Sequence, residues 1–105
     1  MTPEGKITKQ IIDCLKHLKC DVGDRIWWFK IHGSPLQRAG VPDLLVIFKG
    51  EHIFFEIKQP GHKATQIQQV QIDRINSADG TAVVVHSKEE MLEILMEKSD
   101  VQTKT

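Results

Sequence analysis

Three side chains that could act as metal ligands or in acid–base chemistry, Asp43, Glu56 and Lys58, occur in one short stretch of the chain. Asp43 comes directly before the apolar run Leu44–Phe48, which has the length of one buried strand. A tight turn with a glycine follows, and a second apolar run leads to Glu56 and Lys58. Because neighbouring strands lie about 5 Å apart, Asp43 at the start of one strand can meet Glu56 and Lys58 near the end of its antiparallel partner. Two carboxylates and an ammonium are costly to leave without partners on an apolar sheet, so this arrangement predicts a functional site.

The chemistry that these side chains suit is that of a hard divalent cation. Carboxylate oxygens are preferred ligands of Mg²⁺ and Mn²⁺, and we therefore predict one of these ions, and no organic cofactor. A neighbouring ammonium could orient a water molecule or stabilise a negatively charged transition state. Zinc is disfavoured, because Cys14, His17 and Cys20 follow at three-residue steps without a convincing fourth ligand. The alternative to a functional site is a structural ion pair between Glu56 and Lys58.

The distribution of charge is more informative than its sum. The chain has 105 residues with 14 basic and 14 acidic side chains, so net charge indicates no partner. Between residues 25 and 74, seven Lys or Arg face four Asp or Glu, an excess of three, whereas acids concentrate in the last predicted helix. This pattern is compatible with a nucleic-acid surface on one side only. No signal peptide or membrane-spanning run is visible, so we expect no membrane association and a cytoplasmic location.

A polar loop follows the first predicted strand. Residues 32–40 contain two glycines and a proline, which is typical of an irregular connection. Polar and basic side chains in and around it suit contacts with phosphate groups. The predicted nucleic-acid contacts are Lys30, His32, Ser34, Gln37 and Arg38, together with Lys63 ahead of the second helix. A loop of this composition is also compatible with a plain connection, and that alternative stays open.

The chain begins with a helix start. Thr2 supplies a capping hydroxyl, Pro3 stands in the first turn, and Glu4 lies near the positive end of the helix dipole. An apolar stripe at helical spacing carries this helix to about residue 18 or 19, and residues 21–24 break it. Glu4 lies at the upper end of the stripe. It is therefore either a solvated partner of the dipole or a side chain directed into the site.

The remaining elements alternate between strand and helix. Residues 25–31 predict a strand whose adjacent tryptophans, Trp27 and Trp28, face opposite sides, so both sides should be covered, one of them by another subunit. Thr65 begins a second helix with a capping-box pattern to Gln68, and the apolar side of that helix comprises Ile67, Ile72, Ile75 and Val70. Residues 81–86 predict a strand, and Ser87 caps a last helix that ends near residue 98.

This order, αβββαβα, predicts an α/β domain in which helices flank a mixed four-stranded sheet. We expect residues 1–98 to form a single domain and residues 99–105 to form a flexible tail.

Several motifs together resemble the VRR-NUC family of the PD-(D/E)XK, or restriction-endonuclease-like, nuclease superfamily. Pro42–Asp43 on one strand and Glu56–Ile57–Lys58 on the next match the superfamily signature. The helix with Glu4, the run Gly-Val-Pro-Asp-Leu-Leu-Val from residue 40, and the helix start at Thr65 resemble the family more closely. The likeness covers residues 2 to 96 and is to the short stand-alone type found in phages and bacteria.

The resemblance implies a restriction-endonuclease-like fold and a metal-dependent endodeoxyribonuclease. It implies that the main-chain carbonyl of Ile57 joins Asp43 and Glu56 as a metal ligand, and that Glu4 and Gln68 complete the site. Gln69 is the rival of Gln68, which we prefer because Ile72 and Ile75 follow it at helical spacing.

The resemblance also implies that the substrate is branched DNA, Holliday junctions foremost, and it agrees with the expectation of a homodimer. One domain of this size carries one site, and a symmetric dimer would supply two. The strand with Trp27 and Trp28 and the methionine-bearing last helix are the predicted contact surfaces. The alternative function is a non-catalytic nucleic-acid-binding or assembly protein that retains the nuclease fold. Loss of the acid–acid–lysine set would mark that alternative, and here all three residues are present.

Overall fold

The computed structural model describes the backbone of residues 1–31 and 39–104, and the side chains of this part of the chain through residue 99. Three helices and four strands follow one another in the predicted order. Their bounds are α1 (Pro3–Val22), a short 3₁₀ turn (Gly23–Arg25), β1 (Ile26–Lys30), β2 (Leu44–Phe48), β3 (Glu51–Ile57), α2 (Gln66–Ser77), β4 (Ala82–Val85) and α3 (Lys88–Lys104). No helix in the described part of the chain is both long and apolar enough to cross a bilayer.

The four strands form one mixed sheet in the order β1-β2-β3-β4. β1 and β3 each pair antiparallel with β2, whereas β4 runs parallel to β3 after the crossover through α2. Lys49 and Gly50 connect β2 and β3, and both have positive φ angles, 51° and 91°, as a type I′ hairpin loop requires. This two-residue loop fixes the register in which Leu44 faces Phe55. The residues just beyond that pair, Asp43 and Glu56, are thereby brought side by side.

The core lies between one face of the sheet and the two helices α1 and α3. Alternate residues of β2 and β3 are buried, as the period-two pattern predicts, and Glu56 of β3 is buried in addition. The fully buried helix side chains that meet them are Ile11, Leu15, Met91 and Leu95. Burial of a side chain of this size stabilises the fold by about 1.5–3 kcal/mol. The two strands that carry the acidic residues are therefore anchored in the hydrophobic core.

The first helix is longer than predicted. α1 continues to Val22, about one turn past the predicted end, because Leu18 and Val22 extend the apolar stripe and pack against the core. Gly23 then ends the helix with a φ of 62°, and its N–H donates to the carbonyl of Lys19. α3 likewise runs beyond the predicted end near residue 98, to Lys104. Its predicted cap is present, because the hydroxyl of Ser87 accepts the N–H of Glu90 at 3.1 Å.

The prediction of which side of α2 is buried is wrong for the first half of the helix. Ile67 and Val70 are 59% and 41% exposed, whereas Gln71 and Ile72 are the buried residues of this helix. The helix is therefore rotated so that Gln71 and Ile72 are buried and Gln68 is partly buried, an orientation that the apolar residues of the helix did not predict.

The two tryptophans of β1 have different environments. Trp28 packs against the core, as an inward residue of this strand should. Trp27 and Phe29 point to the other face and remain 52% and 53% exposed, with parallel rings whose centroids are 6.2 Å apart. Within a single chain, the prediction that both sides of this strand are covered therefore holds for one side only.

Candidate functional site

Asp43 is held in place by both neighbouring strands. Its carbonyl accepts the N–H of Ile31 at 2.7 Å, and its side-chain Oδ2 accepts the N–H of Ile57 at 2.9 Å. Buried Pro42 precedes it and β2 follows it, so its main chain has little freedom. The side chain of Asp43 is thus fixed at the junction of β2 and β3 through one of its two oxygens.

The geometry of β3 also directs a main-chain oxygen to this junction. In a strand, the N–H and C=O of one residue point to the same side, and the N–H of Ile57 points to Asp43. On the opposite side, the N–H of Lys58 donates to the carbonyl of Val85 in β4 at 3.0 Å. The carbonyl of Ile57 therefore points towards the Asp43 side, where the family resemblance implies a metal ligand.

Glu56 has a buried carboxylate to which no described group donates a hydrogen bond. Its side chain is 1% exposed, and no donor in the described part of the chain reaches either of its oxygens. Burial, followed by the neighbouring Asp43, raises the pKa of Glu56 from 4.5 to about 9. Two ionised carboxylates are both acceptors, so a hydrogen bond from Glu56 to Asp43 forms only when Glu56 carries a proton. Glu56 therefore requires either a proton or a nearby cation at neutral pH.

Glu4 completes a cluster of three carboxylates. Glu4, Asp43 and Glu56 each offer one oxygen, and these oxygens all lie within 4.8 Å of one another. Glu4 stands in the first turn of α1, whose cap is formed by the Thr2 hydroxyl accepting the N–H of Gly5 at 3.0 Å. Of the two roles open for Glu4, the structure shows the side chain directed towards the other acids.

These residues fit a hard divalent cation. All of the donors are oxygens, two of them are the orphaned buried oxygens of Glu56, and the cluster concentrates negative charge that a cation would offset. Such a donor set suits Mg²⁺ or Mn²⁺ rather than zinc.

Lys58 supplies a positive charge next to the cluster. It follows β3 directly and is partly exposed, and its charge lowers the pKa of Glu56 against the larger effects of burial and Asp43. By the alternation of the strand, Glu56 and Lys58 belong to one side. The structure therefore brings together the three residues from which the site was predicted.

An open cleft of about 470 Å³ gives access to the acids. Its walls are formed by Thr2, Pro3, Glu4, Gly5, Thr8, Lys30, Asp43 and Gln59. Lys30 is the only one of the predicted DNA contacts among these described wall residues. Gln59 and Thr8 were not predicted. Gln59 could have been found from its position directly after Lys58, whereas Thr8 carries no sequence signal that we recognise.

The predicted glutamine has a structural task. The side-chain oxygen of Gln68 accepts the N–H of Thr65 at 2.8 Å and completes the capping box of α2. Gln68 is partly buried, whereas its rival Gln69 is exposed and donates to Asp73 at 2.9 Å. Burial thus favours Gln68 over Gln69 as the inward residue, and a role of Gln68 in the site stays a prediction.

The other predicted DNA contacts fall into two groups. His32, Ser34, Gln37 and Arg38 lie outside the described residues. Lys63 is exposed between the turn that follows Lys58 and the start of α2.

The architecture defines the class of fold. A mixed four-stranded sheet flanked by helices, with acids at the end of its two central strands, is the restriction-endonuclease-like arrangement predicted from the sequence. Two solved structures have a fold similar to that of this chain. A VRR_NUC domain superposes with a TM-score of 0.72 at 24% identity and covers 91% of this chain and 97% of its own. A VRR_NUC domain protein gives a TM-score of 0.69 at 20% identity, covering 92% of this chain and 88% of its own.

These neighbours confirm the predicted fold. The chain has the same α/β fold as the two VRR_NUC domains over nearly its whole length. No family model matches the sequence, and no curated protein matches it significantly. At this level of identity the similarity establishes the fold, and the function must be argued from the site.

Proposed function

We propose that this protein is a VRR-NUC-type nuclease that hydrolyses phosphodiester bonds in DNA with the help of Mg²⁺ or Mn²⁺. One observation carries the proposal: the buried carboxylate of Glu56 has no donor in the described part of the chain and faces Asp43 and Glu4 at the end of the central strands. A purely structural role would leave Glu56 either protonated well above its ordinary pKa or ionised without a donor, and an unpaired buried ion costs on the order of several kcal/mol. The names of the two structural neighbours point in the same direction.

Each residue has a distinct task in this proposal. Asp43, Glu56 and the carbonyl of Ile57 would hold the cation, with Glu4 at the edge of the site. When bound, the cation would polarise the phosphate and make a water molecule more acidic. Lys58 would orient the attacking water or stabilise the negative charge that develops on the phosphate.

The cleft wall would bind the DNA backbone. Lys30 is exposed at the end of β1 and lines the cleft beside Glu4 and Asp43, where it would neutralise a phosphate next to the reacting one. Lys63 and the predicted loop contacts would extend this path. Because the net charge of the chain is zero, binding depends on such local groups rather than on a general attraction to DNA.

We further propose a homodimer that prefers branched DNA, such as a Holliday junction, to linear duplex. One chain offers one acidic cluster in its described part, so cutting two strands in concert requires a second copy. The exposed rings of Trp27 and Phe29 on the edge strand β1 are the apolar surface that a partner would cover, and Met96 on α3, 41% exposed, is the second candidate.

The activity is tested with a synthetic four-way junction and a linear duplex of the same sequence, incubated with Mg²⁺, Mn²⁺, Zn²⁺ or EDTA. We expect cleavage with Mg²⁺ or Mn²⁺, little with Zn²⁺ and none with EDTA. Asp43→Asn, Glu56→Gln and Lys58→Ala should each lower the rate more than about a hundredfold, since each removes at least ~3 kcal/mol of transition-state stabilisation. The matched control is Glu93→Gln on the exposed side of α3.

Two results would contradict the proposal. Folded Glu56→Gln that keeps more than a tenth of the activity would exclude Glu56 as a ligand. Binding of the junction without cleavage under all metal conditions would favour the alternative, a nucleic-acid-binding protein on a nuclease fold.

The homodimer and the preference for branched DNA are tested in separate experiments. Light scattering at the working concentration should give the mass of two chains. Equal rates on junction and linear duplex at matched salt would leave a nuclease without preference for branched DNA.

A further inference from the structure

A hydrogen-bonded connection joins the end of β4 to the turn that follows Lys58. The imidazole of His86, the first residue after β4, lies with Nε2 2.9 Å from the carbonyl oxygen of His62. Its other nitrogen, Nδ1, lies 3.3 Å from Oε1 of Glu90 in the first turn of α3. The second carboxylate oxygen of Glu90 accepts the main-chain N–H of His86, also at 3.3 Å. One histidine thus ties α3 to a turn 24 residues earlier in the chain.

The two partners of this imidazole are both acceptors. A carbonyl oxygen only accepts, so Nε2 must carry a proton, and a carboxylate only accepts, so Nδ1 is satisfied only when it carries a proton as well. Both contacts are therefore complete in the charged imidazolium. In agreement with this, the hydrogen bond to the His62 carbonyl is the main reason why the pKa of His86 is raised above 6.5, and Glu90 adds to it.

The turn that His86 holds is built to be rigid. Residues 59–62 read Gln-Pro-Gly-His, and the N–H of His62 donates to the carbonyl of Gln59 at 3.1 Å. Pro60 in the second position and Gly61 with a φ of 86° in the third are the features of a type II turn. The side-chain amide of Gln59 also lies 2.7 Å from the ring Nε2 of His62.

Both ends of this segment are held by consecutive residues. The carbonyl of Val85 accepts the N–H of Lys58 at 3.0 Å, and His86 then binds the carbonyl of His62. The segment between them carries Lys58 beside the acidic cluster and Gln59 in the wall of the cleft. A displacement of the turn would therefore move two groups that face the site.

We propose that His86 is a positioning residue, which clamps the turn of residues 59–62 so that Lys58 and Gln59 keep their places at the acidic cluster. The part of this inference that concerns catalysis rests on the proposed nuclease function, whereas the clamp itself does not. His86 contacts neither the cluster of Glu4, Asp43 and Glu56 nor the described wall of the cleft, and it acts through the turn.

The clamp should depend on pH. Glu90 from α3 is the charged group that faces the imidazole, and His62 from the turn faces it with its carbonyl. Because the pKa of His86 is raised in the folded state, the clamp is complete below the ordinary pKa of 6.5 and weakens as pH rises through the higher folded value. In the neutral form, one contact with an acceptor is lost.

The first test compares His86→Ala, His86→Gln and Glu90→Gln in single-turnover cleavage of a four-way junction with Mn²⁺. We expect His86→Ala to lower the rate about tenfold near pH 6.5, a barrier change of about 1.4 kcal/mol. Glutamine at position 86 can still donate to the His62 carbonyl, so it should restore part of the rate and lose the pH dependence. In Glu90→Gln, the cleavage rate should begin to fall at a lower pH than in the wild type, because Glu90 helps to raise the pKa of His86.

The matched control is His17→Ala. The ring of His17 also binds a main-chain carbonyl, that of Asp13 at 2.9 Å, but within α1 and on an exposed surface. This variant should leave rate and pH profile unchanged. A loss of activity in His86→Ala that is equal at all pH values, with a matching fall in Tm, would make His86 a general stabiliser and overturn the proposal.

The second test needs no activity. Hydrogen exchange of the metal-free protein, followed on peptides that contain residues 58–64, should be about tenfold faster in His86→Ala and unchanged in His17→Ala. The clamp would be refuted if His86→Ala showed unchanged exchange and a cleavage rate within twofold of the wild type. If Asp43→Asn were inactive in the same assay, the nuclease proposal would remain intact. Faster exchange in a protein that cleaves no DNA would support the clamp and contradict the proposed function.

Discussion

Replacing Glu56 by glutamine should stabilise the metal-free protein, although the same change should abolish cleavage. Burial and Asp43 raise the pKa of the Glu56 carboxyl from 4.5 to about 9 in the folded chain. For a group whose folded pKa is raised, the contribution to stability is fully present below the unfolded pKa of 4.5 and is lost as pH rises through about 9. Glutamine has the same shape and no charge, so the variant avoids this loss.

The size of the effect follows from the pKa values. At about pH 7.5 the solution is roughly three units above the ordinary pKa, and each unit corresponds to about 1.36 kcal/mol, which gives an upper value of about 4 kcal/mol. Relaxation around the buried carboxylate reduces this value, and we expect a gain of about 2 kcal/mol or more. For a domain of this length, that corresponds to a rise in Tm of roughly 8 °C or more.

The assay is thermal unfolding of wild type and Glu56→Gln in EDTA between about pH 5 and pH 8.5. The difference in Tm should be small at the acidic end and should grow with pH, whereas Glu93→Gln should follow the wild type throughout. Adding Mg²⁺ or Mn²⁺ should then stabilise the wild type and have less effect on Glu56→Gln, because a ligand stabilises only the state that binds it.

Two outcomes would refute this reasoning. If Glu56→Gln were no more stable than the wild type at about pH 8.5 in EDTA, the carboxylate would have a partner that the described residues do not supply. If the gain were the same at every pH, its cause would be packing rather than ionisation.

Three further predictions concern the surroundings of the site. Gly40→Ala should lower Tm strongly, because φ is 84° and a Cβ would lie 2.6 Å from a main-chain oxygen of α2, whereas Gly61→Ala, with nothing within 4 Å, should cost only about 1–2 kcal/mol, as thermal melts of the pair will show. Glu4→Gln should reduce cleavage less than loss of the two strand carboxylates, and a rate as low as theirs would make Glu4 an equal ligand. Replacing Trp27 and Phe29 by serine should shift the mass measured by light scattering from two chains to one, and an unchanged dimer would direct attention to α3.

The sequence allowed the central hairpin to be predicted because its determinants are local. The apolar run of β2, a tight turn with a glycine and the alternation of β3 predict both strands, although the predicted turn of residues 49–51 is one residue longer than the loop in the structure, where β3 begins at Glu51. Strand spacing then brings Asp43 and Glu56 together without any knowledge of the remaining fold. The capping hydroxyl of Thr65 was predictable for the same reason, since it acts within one turn.

Features that depend on distant packing could not be derived from local patterns in the sequence. The reach of Glu4 to the strand acids is set by how α1 crosses the sheet, and no local pattern encodes that position. The rotation of α2, which leaves Ile67 exposed, is similarly set by its packing against β4 rather than by its own composition. The contact between His86 and His62 arises only because β4 returns parallel to β3 after the α2 crossover.

The placement of Glu56 shows how the fold can hold a charge in an unfavourable position. Its neighbours on β3, Phe55 and Ile57, are 0% and 1% exposed and point into the core. Burial of these two side chains contributes about 3–6 kcal/mol, which is comparable to the roughly 4 kcal/mol that the buried carboxylate costs near neutral pH. Because side chains alternate along a strand, Phe55 and Ile57 cannot enter the core without turning Glu56 to the opposite side. Packing of the core thus offsets the cost of keeping this carboxylate desolvated beside Asp43. A cation that binds there would reduce that cost, because it would balance the buried negative charge.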